Sequence, residues 1–345
     1  MNYKKLTVQE LKSICKKNHI KGYSYLKKDD LIKIIKKNLN KKKMKGGYGM
    51  MRQNITLNRL KLLDLLKCTE DKLNNLEILS LSNKYIEKIE DNTFNGLIKL
   101  KELILYNNKI TKIEDGTFNQ LSNLKILNLG SNNIEIKNTT FNNLSNLEEL
   151  FLYDNNITEI EDGTFNQLST LKILDLSRNN NIEIKNTTFN NLNNLEELFL
   201  ANNNIKKIED GIFNQLSTLK ILDLSGNNIT EIIPNTFNKL SNLKKLDLSN
   251  LKKLDLSNNK ITKIIPNTFN KLSNLEELIL SNNNITEILS GTFNGLGKLK
   301  ILNLHNNIYL KLVANNIKNI SNRKYSRFIR KSIFTGLPDG AEVIY

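Results

Sequence analysis

The sequence predicts an α/β repeat: a curved solenoid with short parallel β-strands on its concave face, preceded by a small helix-loop-helix unit. Three observations predict it. From Leu76 the pattern L-x-x-L-x-L-x-x-N-x-I-x-x-I-x4-F-x-x-L-x-x returns about every 24 residues. Inside each copy, leucines alternate with other residues over a stretch of strand length, which puts the leucines on one face. Charge is also partitioned. Residues 1–52 carry +13, residues 53–305 carry −2 and residues 306–345 carry +5, within a net charge of +16.

The repeat settles the middle of the chain before any motif is considered. Its first leucines are Leu76, Leu100, Leu124, Leu147, Leu171, Leu195, Leu219, Leu251, Leu275 and Leu299, and the Leu124 copy is one residue short. The ninth position holds Asn108, Asn132, Asn155, Asn179, Asn203, Asn227, Asn259, Asn283 and Asn307. There the chain turns inward, and an amide side chain can satisfy backbone groups of adjacent coils. Lys84 interrupts the column in the first coil. A second column, from Phe94 and Phe118 through Phe213 to Phe293, reads as an aromatic spine under the convex side. Strands stacked at ~4.8 Å give a solenoid about 45 Å long with one continuous core.

Ten registered copies resemble the leucine-rich-repeat family in its 24-residue form, over about two thirds of the chain. The predicted solenoid runs over residues 76–312. Residues 55–75 read as an N-terminal cap, with Leu57, Leu60, Leu63 and Leu66 at helical spacing, or as a degenerate first coil. Residues 313–345 read as a basic C-terminal cap or tail; Phe334-Thr335-Gly336-Leu337 echoes Phe293-Asn294-Gly295-Leu296, as a distorted final coil would. The segment 118–164 is nearly repeated at 165–212, so its surface pattern is in part inherited by duplication. Ser241–Leu248 recurs verbatim as Ser249–Leu256. Only the second copy leads to a ninth-position Asn, so Leu251, Leu254 and Leu256 should take the strand and 241–250 should bulge.

The outward strand positions form the concave face, the usual binding surface of such solenoids. Phe151, Tyr153 and Phe199 are expected to face outward there, beside Asp175, Arg178, Glu197 and Asp223. Large aromatic and arginine side chains are enriched at binding hot spots. The face reads either as a mixed-charge solubilising surface or as a docking site for a protein partner.

Residues 3–40 form a separate helical hairpin. Thr7-Val8-Gln9-Glu10 is a capping box. Val8, Leu11, Ile14 and Cys15 are expected to face inward from the first helix, and Leu31, Ile34 and Ile35 from the second. Leu6, Glu10-Leu11-Lys12, Ile20, Gly22 and Lys27-Lys28-x-x-Leu31-Ile32 resemble the SAP domain, a DNA-binding module, and the Rho-termination-factor N-terminal fold is similar. His19 stands where SAP domains usually carry Gly, and Ser24-Tyr25-Leu26 lengthens the turn. The resemblance implies that Lys21, Tyr23, Lys27 and Lys28 approach DNA phosphates at the start of the second helix, where free amides favour anions. Without it, the hairpin is a solvated basic surface or a contact for protein or anionic lipid. Residues 41–54 read as a basic flexible linker, and DNA would meet residues 1–52.

Composition narrows the rest. The 59 asparagines and 45 lysines fit a compositional bias of AT-rich coding, so a lysine alone is weak evidence for a ligand. The start shows no apolar leader and no stretch approaches a membrane span, so the sequence reads as intracellular, cytoplasmic or nuclear. Two cysteines make no disulfide framework, and the cysteine-rich caps of secreted repeat proteins are missing. His19 and His305 have no spaced Cys or acidic partners, so no catalytic or metal site, cofactor or small-molecule substrate is expected.

Overall fold

A strand that buries alternate leucines leaves its backbone groups to be paired on both edges, and repetition supplies identical neighbours. The computed structural model describes residues 8, 11, 12, 15, 27–29, 31–35, 54–209, 211–213, 215–232, 236–237, 250–307, 310, 337–338 and 341–344. The chain divides into two units, Met1–Gln53 and Asn54–Tyr345.

In the first unit the backbone is helical at Val8, Leu11, Lys12 and Cys15, and again at Lys28, Asp29 and Leu31–Ile35. Leu11, Cys15, Leu31, Ile32 and Ile35 are buried. Two expected inward residues are not: Val8 is exposed and Ile34 only half-buried, while Ile32 takes the inward place. Leu31, Ile32 and Ile35 set the face of the second segment, from which Ile34 is rotated away. Val8, three residues before Leu11 and seven before Cys15, shares their face of the first segment and is nonetheless exposed.

The second unit begins with β1 (Ile55–Leu57), α1 (Arg59–Leu66), α2 (Glu70–Asn74), β2 (Ile78–Ser80) and β3 (Ile86–Ile89). Asn58 caps α1, its Oδ1 accepting the Lys61 N–H at 2.9 Å. Segment 59–66 is thus helical. Leu62 and Leu73 are buried, whereas Leu60, one of the four leucines at helical spacing, is 78% exposed. The Arg59 guanidinium ties the helices together by donating to Glu70 and to Asn74 Oδ1. β1 pairs in parallel with β3.

The strands that follow are β4 (Glu102–Ile104), β5 (Ile126–Asn128), β6 (Glu149–Phe151), β7 (Ile173–Asp175), β8 (Glu197–Phe199), β9 (Ile221–Asp223), β10 (Glu231–Ile232), β11 (Lys253–Asp255), β12 (Lys263–Ile264), β13 (Glu277–Ile279), β14 (Ile301–Asn303) and β15 (Glu342–Ile344). Eleven of the strands form one parallel sheet in the order β15-β14-β13-β11-β9-β8-β7-β6-β5-β4-β2. β10 and β12 pair separately. Leu254 is registered against Leu222 and Leu278, so the second copy of the verbatim repeat takes the strand. The expected bulge at 241–250 lies, apart from Asn250, outside the described residues. β15 pairs with β14 eight residues beyond Phe334, the same offset as from Phe293 to Ile301.

Beneath the sheet lies one apolar core. The phenylalanine rings stack in three runs: Phe94–Phe118, Phe141–Phe165, and Phe189 through Phe213, Phe237 and Phe269 to Phe293. The breaks coincide with the coils carrying Ile134-Glu135-Ile136 and Ile182-Glu183-Ile184, which have one residue fewer between their isoleucines. In the return segment Gly295 (φ +87°) lies against Asn270. An added Cβ would meet the Asn270 carbonyl oxygen and sit 2.7 Å from its Cα. Gly295→Ala is therefore expected to destabilise by about 3 kcal/mol, from left-handed strain and overpacking together. A denaturation midpoint unchanged from the parent would refute this.

Candidate interaction surface

Three rows of side chains write the solvent face of the sheet. The row just before each strand is ionic. Lys125 and Lys172 Nζ each donate to Glu148 at 2.6 Å, one to each oxygen. Those two bonds hold the Glu148 carboxyl down at about 2. Lys101 pairs with Glu77 at 3.0 Å, Lys220 with Glu196 at 2.6 Å, and Lys300 with Glu276. Exposed pairs of this kind add little stability, but they engage these lysines locally.

The row at the last residue of each strand runs Ile104, Asn128, Phe151, Asp175, Phe199, Asp223, Asp255, Ile279, Asn303. Its Asp and Asn side chains turn back on the chain two residues later, as Asx turns do. Asp175, Asp223 and Asp255 Oδ1 accept from the N–H groups of Ser177, Ser225 and Ser257, each at 2.9 Å. Asn128 does the same for Gly130 at 3.0 Å. Register sets the depth of each carboxylate. Asp175 lies between Phe151 and Phe199 and is 5% exposed, whereas Asp223 has a phenylalanine on one side only and is half-buried. Burial pushes the Asp175 carboxyl up to about 6, and it also raises Asp223 and Glu197.

The third row, two residues past each strand, changes size along the solenoid. It holds Tyr106, Gly130 and Tyr153, then Ser177, Ala201, Ser225, Ser257 and Ser281. The Tyr153 ring lies over Gly130, where an added Cβ would stand 2.6 Å from Cε1, and its centroid is 6.1 Å from that of Tyr106. Burial raises the Tyr106 phenol against a hydrogen bond to Ser131. Ser131 Oγ in turn donates to Asp154 Oδ2 at 2.7 Å.

The next residue in every coil is left-handed, from Asn83 (φ 60°) to Asn306 (φ 58°). Asn and Gly suit that conformation, and they fill most of the column. Arg178 (φ 61°) occupies the same position with a long, exposed side chain.

The structure therefore brings Phe151, Asp175, Glu197, Phe199 and Asp223 onto adjacent strands, with Tyr153 and Arg178 at their border. It qualifies the expectation for two of them. Phe151 and Tyr153 lie on the outer face of the sheet but are only 4% and 6% exposed, covered by their neighbours, the Tyr153 ring being laid over Gly130. Sequence reasoning overlooked Tyr106, Gly130 and Ser131; the shared repeat offset of Tyr106, Gly130 and Tyr153 was the available signal. In the first unit, Lys27 and Lys28 are exposed where the second helical segment starts, the Lys27 carbonyl accepting from the Leu31 N–H at 3.0 Å. Lys21 and Tyr23 lie outside the described residues. Among the described residues no cluster of His, Cys, Asp and Glu could hold a metal ion, and no helix is long and apolar enough to cross a membrane.

These features define a parallel-sheet repeat solenoid with an elaborated outer face. Models of the leucine rich repeat match residues 74–134, 98–157, 135–182, 145–205, 193–250 and 249–308. The chain belongs to the leucine-rich-repeat family. Residues 2–43 match the Rho termination factor N-terminal domain, the second of the two resemblances seen in the sequence. No curated protein matches the chain in sequence.

Among solved structures, a chain of the TLR13–ssRNA13 complex is similar at a TM-score of 0.63 and 32% identity, covering 72% of this chain and 34% of that one. This chain thus spans about a third of that relative's length. A chain of the octameric complex of Latrophilin 3, Unc5D and the leucine-rich-repeat protein FLRT2 has a TM-score of 0.55 and 26% identity, with 78% and 83% covered. A leucine-rich-repeat protein of Leptospira interrogans has the same score and identity, with 79% and 73% covered. Neither matched family points to an enzymatic activity.

Proposed function

We propose that this chain is a non-enzymatic, intracellular interaction scaffold that docks a protein partner on the concave face of its solenoid. The observation that carries the reading is the interleaved row Phe151, Asp175, Phe199, Asp223, flanked by Glu197 and Arg178. Of the similar structures, one is a complex with single-stranded RNA and one a complex of proteins. Charge favours protein for this solenoid. Nucleic-acid affinity rests on cations that neutralise phosphates, whereas this row is anionic and the lysines beside it are largely paired with glutamates. The test is face-dependent capture: Glu197→Lys with Asp223→Lys should abolish binding of a captured partner, and Lys271→Glu in the return segment should not. Equal loss, or none, refutes the concave face as the docking surface.

A second role that we propose is a tether to DNA through the N-terminal unit. Its net charge of +13 and the exposed Lys27 and Lys28 at a helix start support this, with Lys21 and Tyr23 implied by the SAP resemblance. Lys27→Glu with Lys28→Glu in the full chain should weaken duplex-DNA binding at least tenfold and flatten its salt dependence by about two phosphate contacts. Unchanged affinity would leave a scaffold whose basic ends meet protein or anionic lipid.

A further inference from the structure

The concave-face reading leaves the chemistry of the partner open, and the interleaving of rings and carboxylates narrows it. Parallel register puts Asp175 opposite Phe151 on one side and Phe199 on the other, on strands ~4.8 Å apart. Two strands from Asp175, Asp223 repeats the carboxylate on the far side of Phe199. A carboxylate flanked in register by aromatic side chains complements a cation whose flanks are apolar, by charge at the centre and by contact at the side with Phe199, the more open of the two rings. Among the described residues no lysine or arginine forms an ion pair with Asp175 or Asp223. Arg178 and Lys253 act on them only through space. The neighbouring lysines that would otherwise neutralise the row, Lys125, Lys172 and Lys220, are paired with Glu148 and Glu196.

Access is one-sided. Tyr106 and Tyr153 fill the row beside Ile104 and Phe151, but beside Asp175, Phe199 and Asp223 that row shrinks to Ser177, Ala201 and Ser225. The carboxylates therefore sit at the floor of a trough rather than on a ridge.

We propose that this trough receives an extended segment of a protein partner bearing arginine or lysine, with one cationic side chain seated on Asp175 between Phe151 and Phe199 and a second on Asp223. The proposal rests on the concave face being the docking surface, and adds that the occupant is cationic. Arginine suits the site better than lysine, because its flat guanidinium stacks on rings while its edge donates to a carboxylate.

The test uses the full chain and a fluorescein-labelled nonapeptide of alternating arginine and leucine, followed by fluorescence anisotropy at physiological salt. Its control replaces arginine by citrulline, which keeps the shape and removes the charge. Residues 53–305 carry only −2, so diffuse attraction of the solenoid for a cationic probe is weak, and the two variants below separate the trough from it. The arginine peptide should bind at least tenfold tighter than the citrulline peptide. Asp175→Asn should remove most of that difference, because the amide can still accept from Ser177 but carries no charge. Glu276→Gln, paired with Lys300 in the ionic row, should not.

Equal affinity for the two peptides, failure of the arginine peptide to bind, or equal binding by parent and Asp175→Asn would each overturn the cationic occupant. Loss of both peptides on Phe199→Glu would still keep the concave face as a docking surface. Binding unaffected by either variant would overturn both readings. Self-association of the parent that disappears in Asp175→Asn, read by sedimentation, would assign the trough to a second copy of the chain and overturn the proposal.

Discussion

Asn227→Ala is expected to destabilise the solenoid by about 4 kcal/mol, the cost of leaving two buried backbone N–H groups without acceptors. Asn227 is 4% exposed and makes four strong bonds to main chain. Its Oδ1 accepts from the N–H groups of Asn203 and Ile205, both at 3.0 Å. Its Nδ2 donates to the carbonyls of Leu200 at 3.0 Å and Leu224 at 2.8 Å. One side chain thus closes its own turn and bolts it to the coil before. The neighbouring Asn228 is the control. It is half-buried, and its Nδ2 donates to Asn204 Oδ1 at 3.2 Å, so Asn228→Ala should cost under ~1 kcal/mol. Because repeat solenoids are stabilised by nearest-neighbour contacts, hydrogen exchange should accelerate first around β8 and β9. Equal denaturation midpoints for the two variants would show that the asparagine ladder does not hold the coils together.

The ladder was legible in the sequence because ten copies fix the register of every position. The strand leucines, the ninth-position asparagines and the choice of Leu254 over its duplicate all follow from that register. What register does not give is the depth of a side chain, which depends on what the adjacent coil places beside it. Asp175, Asp223 and Asp255 share one repeat position, yet only Asp175 has a phenylalanine on both sides and is buried. Tyr153 looks exposed until Gly130, in the preceding coil, is seen to leave room for its ring. The cap fails for a different reason. Leucines at 57, 60, 62, 63, 65 and 66 surround a short helix, so spacing does not select which of them faces the core, and the structure selects Leu62 over Leu60. The same ambiguity separates Ile32 from Ile34 in the N-terminal unit.

Asp175→Asn is expected to stabilise the protein by about 2–3 kcal/mol at pH 7.5, and the gain should vanish in acid. The carboxyl titrates near 6 when folded and near 3.8 when free, because its place between two phenyl rings removes water from the ion. Asp223 adds repulsion, while Ser177 and Arg178 partly compensate. A raised carboxyl pKa means that the folded state binds the proton more tightly. The ion therefore destabilises the fold fully above pH 6, and the penalty is relieved as pH falls from 6 towards 3.8. A shift of about two pH units corresponds to about 3 kcal/mol. Asparagine keeps the oxygen that accepts from the Ser177 N–H and carries no charge to desolvate.

Glu148 titrates in the opposite sense: its stabilising contribution is present above pH 4.5 and lost towards pH 2. Both proteins share it, so it cancels when their stabilities are subtracted. Urea denaturation at pH 7.5, 6, 5 and 4 would show the variant's advantage shrinking to zero. A constant difference across that range would mean that ionisation of Asp175 is not its source. A fold gains nothing in stability from an ion held at this depth. If the more stable variant is also the one that releases the arginine peptide, the carboxylate is kept for recognition at the expense of stability.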